Sequence, residues 1–430
     1  MSAWESAGPT NEETVDGADK MLPLTGIRVL DLSRDLAGPL CSQMLAEHGA
    51  DVIEVEHPLT GDETRSWPPL RDNDFSGYFA TMNRSKRGIA IDLKSPEGLA
   101  VIYDLVDRAD VVMQSFTPGV ADRLGLGYDA LRERNPKLVY FSISGFGKTG
   151  PYRTKRGYDP ILQAMSGFMS ITGEKGRGPV KSTAPIADVS TAIYGFASIV
   201  VSLLWRERSG GQRGQEIDLS MLDVMVSMLS VVGTRYLLTG VVPTRHGTQN
   251  PQRVPSAAFE CADGTYLQLV PNQRQWQTFC DLLGHSDWGT APEFATPGAR
   301  VTSSDTLYPL VTEALKRRTR AEWRELFDDV GIACAPINDL SEVFSDPQVV
   351  SRGMVQTYEY PGLGEVPAIA QPLRYSETPC RITRRPPRLG EHTIEVLTEL
   401  GRSEEEIESL LASDAVRALP AEEAEGVTAP

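Results

Sequence analysis

Ile27-Arg28-Val29-Leu30-Asp31-Leu32, then Leu40 to His48 at helical spacing, then Gly49 and Asp51-Val52-Ile53-Glu54-Val55-Glu56: this passage decides the fold. The two apolar runs are short and rich in β-branched residues, so each reads as a strand. The segment between them repeats its apolar residues every three or four positions, and Gly49 stops it. The same alternation continues. Gly88 to Leu93 is a strand, and Ser95-Pro96-Glu97 starts a helix with a capping Ser and Pro at the first helical position. That helix runs to about Asp107. Asp110 to Phe116 is a strand, Asp129 to Arg134 a short helix and Lys137 to Ser144 a strand. The pattern predicts an α/β fold with a large, doubly wound parallel sheet covered on both faces. In such sheets ligands bind beyond the carboxyl ends of the strands.

The ends and the second half differ in texture. Residues 1–20 and the stretch from Ser413 onward (413–430) are polar, acidic or Pro/Ala-rich and read as disordered tails. From about Val231 Gly, Pro and polar residues thicken. A strand-like Ala262–Val270 and helices at Gln275–Leu283 and Arg320–Asp328 predict a smaller α+β domain. Gly353 to Tyr375 is Pro- and Gly-rich and reads as extended. One last helix is expected from about Thr393 to Leu411.

The net charge of −16 disfavours non-specific binding to nucleic acid or to anionic membranes. Five scattered cysteines and five histidines form no metal-ligand spacing, so no metal is expected, and the cysteines fit a reducing compartment. The N-terminus lacks a basic region followed by an apolar core, so no secretory leader is expected and the address is cytoplasmic. The longest apolar run, Ala192 to Trp205, is too short to span a bilayer and reads as a buried helix.

Several residues stand out as chemistry. Gly145-Phe146-Gly147-Lys148-Thr149-Gly150 spells GxGxxG, but Pro151 follows at once and no helix opens, so a Gly-rich loop fits better than a dinucleotide site. Arg153, Lys155 and Arg156 follow it as a basic tail. Asn83, Arg84, Lys86 and Arg87 precede a strand. Phe116, Pro118, Gly119 and Arg123 follow one. Each cluster alone is ordinary surface. Together they set cations and an aromatic face at neighbouring strand ends, as phosphates and an adenine require. Asp188 lies at the head of the apolar helix. It is either an N-cap or a carboxylate that the helix dipole and free N–H groups keep ionised as a nucleophile. Asp159 is a second loop carboxylate, expected to bond backbone. There is neither GxSxG nor GxxxxGK[ST].

In order along the chain stand Pro23-Leu24-Thr25-Gly26, Val29-Leu30-Asp31-Leu32, Ala37-Gly38-Pro39, Gly49 to Glu56, Gly61-Asp62 and Asn83 to Arg87. Phe116-Thr117-Pro118-Gly119, Gly157-Tyr158-Asp159, Ala187-Asp188 and Pro386-Pro387-Arg388-Leu389-Gly390-Glu391-His392-Thr393 follow. This set resembles the class III CoA-transferases, which include formyl-CoA and carnitine CoA-transferases, from about Pro23 to Leu411. The resemblance implies transfer of coenzyme A from an acyl-CoA donor to a carboxylic acid acceptor, with no metal and no cofactor beyond coenzyme A as substrate. It also implies an interlocked homodimer whose large domain takes both chain ends: 21–225 and 341–412, with the small domain at 226–340. By resemblance the nucleophile is Asp188, and the CoA contacts are Arg34, Asn83, Arg84, Lys86, Ser115, Phe116, Arg123, Leu124, Arg156 and Tyr158. Leu36 stands where the formyl-CoA enzyme has Gln, and no glycine-run loop occurs near Gly247–Pro255. The pattern is closer to the branch that uses succinyl-CoA with dicarboxylates. Arg34, Arg245, His246 and Arg253 are candidates for a distal carboxylate. The related α-methylacyl-CoA racemases place a His where Tyr158 stands; Tyr is a poor base near neutral pH, which favours transfer.

Overall fold

The structure is a computed structural model and describes residues 21–71 and 75–420. The tail expected at 1–20 and the last ten residues lie outside the described residues.

Six strands form one parallel sheet: β1 (Arg28–Leu32), β2 (Asp51–Glu56), β3 (Arg87–Ile91), β4 (Val111–Gln114), β5 (Val139–Ser144) and β6 (Glu216–Ser220). Their order across the sheet is β3-β2-β1-β4-β5-β6, and a strand at Val416–Arg417 closes the β3 edge antiparallel. The winding therefore reverses between β1 and β4, as in doubly wound dinucleotide folds.

Alternation along each strand separates two faces. Leu30, Leu32, Ile53, Val55, Ile89 and Ile91 point to an apolar core completed by helix Pro96–Asp107 and by Val396, Leu397 and Ile407. Ser95 caps that helix through the Gly98 amide, as its sequence predicts. The other face is covered by α1 (Ala37–Glu47), α2 (Gly77–Asn83) and, after α3 (Asp159–Met165), by the long α4 (Ile186–Arg208). Gly195 lets α4 close on α1 and β5: a Cβ there would lie 2.8 Å from Phe141 and 3.0 Å from Cys41.

The apolar run expected at Ala192–Trp205 is part of this longer helix, and by length and composition α4 could cross a membrane. It is not wholly buried. Ala187, Thr191, Gly195, Ile199 and Leu203 face inward at helical spacing, while Ile193, Tyr194, Val201, Leu204 and Trp205 are exposed. Between Ala192 and Trp205 both faces carry apolar residues, so the sequence gives no sign of which face is covered.

The chain divides into two compact units: residues 1–166, 182–233 and 350–430, and residues 167–181 with 234–349. The second unit holds a three-stranded antiparallel sheet with Tyr266–Val270 central between Ala257–Glu260 and Ala333–Pro336. Helices Trp276–Leu282, Ser304–Leu315 and Arg320–Asp329 close its core around Trp276, Phe279, Trp323 and Phe327.

Gly353–Tyr375 is extended as expected, its two strands Val355–Tyr360 and Gly364–Ile369 pairing as an antiparallel hairpin. Two local expectations are corrected. The single last helix is two, Thr393–Glu399 and Glu404–Ala412, because Gly401 takes φ +90° and Ser403 starts a new capping box with Glu406. Residues 413–420, read as tail, contain buried Ala415 and Val416 and the edge strand, since these small apolar side chains complete the sheet.

Candidate active site at the strand ends

Beyond the carboxyl ends of β1 to β4 lies a cavity of about 230 Å³. It is lined by Arg34, Phe116 and Leu124, which the sequence singled out, and by His57 and Lys94, which it did not. His57 follows β2 and Lys94 lies just past β3. Their position immediately after predicted strands was the available signal. The Arg34 guanidinium stands 5.9 Å from the Phe116 ring centre, and the Arg34 amide donates to Ser115 Oγ at 3.0 Å. Ring, cations and open loop ends are what a nucleotide needs. Arg123 is exposed at the end of the short helix Val120–Arg123, and Arg156 and Tyr158 are exposed on the loop after β5.

The cluster before β3 does not lie at the surface. Lys86 Nζ donates to Asp31 Oδ2 at 3.2 Å and to Asn83 Oδ1 at 2.5 Å, all three side chains being buried. Arg84 Nε donates to Glu47 at 2.6 Å and its other nitrogen to the Ile369 carbonyl at 2.8 Å. Here these cations neutralise carboxylates under α1 and α2, as buried charges require. Ser42 and Ser33 complete the shell of Asp31.

Asp188 occupies the third position of α4, and Pro185 stands at the N-cap without a side-chain bond. The N-cap reading of Asp188 is thus replaced: Asp159 does that work from α3, accepting the Ala187 amide at 2.8 Å while Gln163 donates to its other oxygen at 2.7 Å. Asp159 is held there by a backbone contact. A Cβ on Gly145 would lie 2.6 Å from the Gly157 Cα, so the Gly-rich loop and the loop before α3 touch main chain to main chain.

The expectation that Asp188 stays ionised is also corrected. Burial, and then the charge of Asp159, push its carboxyl up to about 7. The amides of Ile186 and Val189 are already bonded to the Ala184 and Pro185 carbonyls, so the helix start offers fewer free N–H groups than its sequence suggested. Asp188 itself has no side-chain hydrogen bond among the described residues. Two neighbours went unread in the sequence. Asp35, at φ +69°, donates its amide to Asp62 Oδ2 at 3.0 Å. Burial, a hydrogen bond to Glu63 and the charges of Asp62, Glu63 and Asp188 raise its carboxyl to about 7. Burial and the charges of Asp188, Asp35 and Asp159 raise the Tyr78 phenol to about 12. The nucleophile candidate is therefore partly desolvated and feels the charge of neighbouring carboxylates.

Of the distal-carboxylate candidates, Arg245 is tied to the Arg177 and Ser170 carbonyls, each at 3.0 Å, and His246 Nε2 lies 3.2 Å from Thr244 Oγ1. Arg253 and Arg34 are exposed. Among the described residues no group of three His, Cys, Asp or Glu side chains could hold a metal ion.

The model of CoA-transferase family III matches residues 24–393. The chain is 41% identical over 392 residues to the succinate–glutarate CoA-transferase of Agrobacterium fabrum, covering 90% of this chain and 97% of that one. It is 36% identical over 399 residues to the mouse succinyl-CoA:glutarate CoA-transferase, with 93% and 91% covered. The crystal structure of a CAIB/BAIF family protein from Brucella suis superposes with TM-score 0.80 at 37% identity, covering 88% of this chain and 99% of that one. Together with the strand-end cleft these matches establish that the chain belongs to CoA-transferase family III and is a CoA-transferase.

Proposed function

We propose that this enzyme moves coenzyme A from succinyl-CoA to a free dicarboxylic acid through a covalent CoA thioester on Asp188. One observation supports the covalent role above the others. Asp188 is a partly buried carboxylate without a side-chain hydrogen bond among the described residues, raised toward neutrality by burial and by Asp159, and so is a better nucleophile than a solvated aspartate.

The sequence of bonds balances without an external acid or base. An Asp188 oxygen attacks the donor acyl carbon and the C–S bond breaks, giving a mixed anhydride and CoA thiolate. The thiolate attacks the Asp188 carboxyl carbon. The anhydride C–O bond breaks, the donor acid leaves and an aspartyl-CoA thioester remains. The acceptor carboxylate attacks that thioester and expels the thiolate. The thiolate then takes the new acyl group, and Asp188 returns as carboxylate. No net proton is consumed.

In this reading CoA lies in the strand-end cleft, with its adenine on Phe116 and its phosphates against Arg34, Lys94 and His57, and with Arg123 and Arg156 at the margin. Leu124 lines the cleft beside Phe116, Ser115 holds the Arg34 backbone, Tyr158 stands on the loop after β5, and Asn83, Arg84 and Lys86 act from the buried layer under α1 and α2. The relatives named for succinyl-CoA and glutarate support the donor and the dicarboxylate. The exposed Ile193, Tyr194, Val201, Leu204 and Trp205 on α4 support an interlocked homodimer, because large apolar side chains gathered on one helix are ordinarily covered.

The test is trapping. Incubation with succinyl-CoA alone and then hydroxylamine should convert Asp188 to its hydroxamate, and Asp188→Ala should abolish transfer with the fold intact. Label on another residue, or exchange of an α-hydrogen without any acceptor acid, rejects the mechanism; the latter result would indicate a racemase.

A further inference from the structure

The segment around Gly390-Glu391-His392-Thr393 has no part in the chemistry above, yet it lies along the outer edge of β3. The Gly88 amide donates to His392 Nδ1 at 3.1 Å, and the His392 amide returns to the Gly88 carbonyl at 2.9 Å. The Ala90 amide donates to Thr393 Oγ1 at 3.1 Å. The Asp92 amide donates to the Ala415 carbonyl at 2.9 Å. Alternate outward amides of β3 are thus taken by two C-terminal pieces of chain, where a bare sheet edge would leave them open.

Gly390 makes the arrangement possible. It has φ +72°, and a Cβ there would lie 2.6 Å from the Arg417 carbonyl oxygen. Val416 is packed in the apolar core beside Ile91. Just past this edge β3 sends Lys94 into the cleft. On the neighbouring side Arg417 donates to the Pro58 carbonyl at 3.4 Å, next to His57. Residues 415–417 therefore bond to both loops that carry His57 and Lys94.

We propose that residues 390–393 and 415–417 form a clamp that positions His57 and Lys94 and thereby sets the affinity for the CoA moiety. The clamp touches no reacting atom; its residues are positioning residues. Its contribution is preorganisation: loops ordered before binding lose less freedom when the ligand arrives. The inference rests on the cleft being the CoA site.

The experiment compares Gly390→Ala, Arg417→Ala, Arg417→Lys and the cleft variant Phe116→Ala. Free CoA binding is measured by calorimetry, kcat and both KM values by assay, and folding by circular dichroism. Arg417 is exposed, so its variants are expected to fold even where Gly390→Ala does not. Arg417→Ala should raise the Kd for CoA and the KM for acyl-CoA by about tenfold, with kcat and the KM for the acid unchanged. Arg417→Lys, which keeps a donor, should recover part of that loss. If Phe116→Ala weakens CoA binding while Arg417→Ala and a folded Gly390→Ala do not, the clamp is overturned and the cleft assignment stands. If Phe116→Ala also leaves binding unchanged, the cleft assignment fails and the clamp falls with it.

Discussion

Asp159 Oδ1 accepts the Ala187 amide at 2.8 Å, and the next residue along the helix is Asp188. One carboxylate thus anchors the start of α4 while its charge pushes the neighbouring carboxyl up. Asp159→Asn keeps an oxygen for the Ala187 amide and removes the charge. The pH profile of donor kcat/KM should show wild-type activity lost as pH falls through about 7, where Asp188 protonates, and the inflection should move to lower pH in Asp159→Asn. Asp159→Ala should in addition cost about 1 kcal/mol of stability through the lost cap, measured by denaturant unfolding.

The nucleophile candidate should carry a stability cost. Its folded pKa is raised from 3.8 to about 7, so the folded state holds the proton more tightly than the unfolded one. Wild-type stability relative to Asp188→Asn should therefore fall as pH rises from about 4 to 7 and level off above that. Parallel pH-dependent melting curves for the two proteins would contradict this.

Glu54, on β2, offers a second case. Both of its carboxyl oxygens are buried without a hydrogen-bond partner among the described residues, and burial raises its pKa well above the usual carboxylate range. Glu54→Gln should be more stable than wild type at neutral pH. The gap should shrink toward zero as pH drops through 4.5, with a limiting slope of about 1.4 kcal/mol per pH unit. Urea titrations at a series of pH values measure it.

The basic residues should separate by readout. Lys86→Met leaves Asp31 buried without its cation and should cost about 3–5 kcal/mol of stability. Arg34→Ala, at the exposed cleft, should leave the melting temperature unchanged and raise the KM for acyl-CoA. Thermal melts and steady-state kinetics on the pair distinguish the roles.

Gly145→Ala would press a methyl group against Gly157 Cα, at 2.6 Å before relaxation. The loop that seats Asp159 must then shift, so kcat should fall more than thermal stability. An unchanged kcat would remove the link between that loop and the Asp188 site.

Much of the architecture was open to reading. Asp51–Glu56 is a strand over the same residues that its β-branched run predicts, and Ser95 caps as expected. The break at Gly401 was also visible in principle, since Ser403 with Glu406 spells a second helix start. The inward turn of Lys86 and Arg84 was not. Their partners Asp31 and Glu47 lie 55 and 37 residues away on other elements, and a basic run before a strand has the same look whether it meets water or a buried acid. Asp35 was hidden for a related reason: its left-handed backbone and its bond to Asp62 depend on a loop 27 residues further along.

The reversal of strand order between β1 and β4 has an evolutionary corollary. The crevice there arises from connectivity, because the chain leaves the two central strands toward opposite sides and no single loop has to build the gap. Loop substitutions can therefore redraw the walls without abolishing the opening. A lineage of this fold is free to keep one thioester carrier and exchange the acid that it charges.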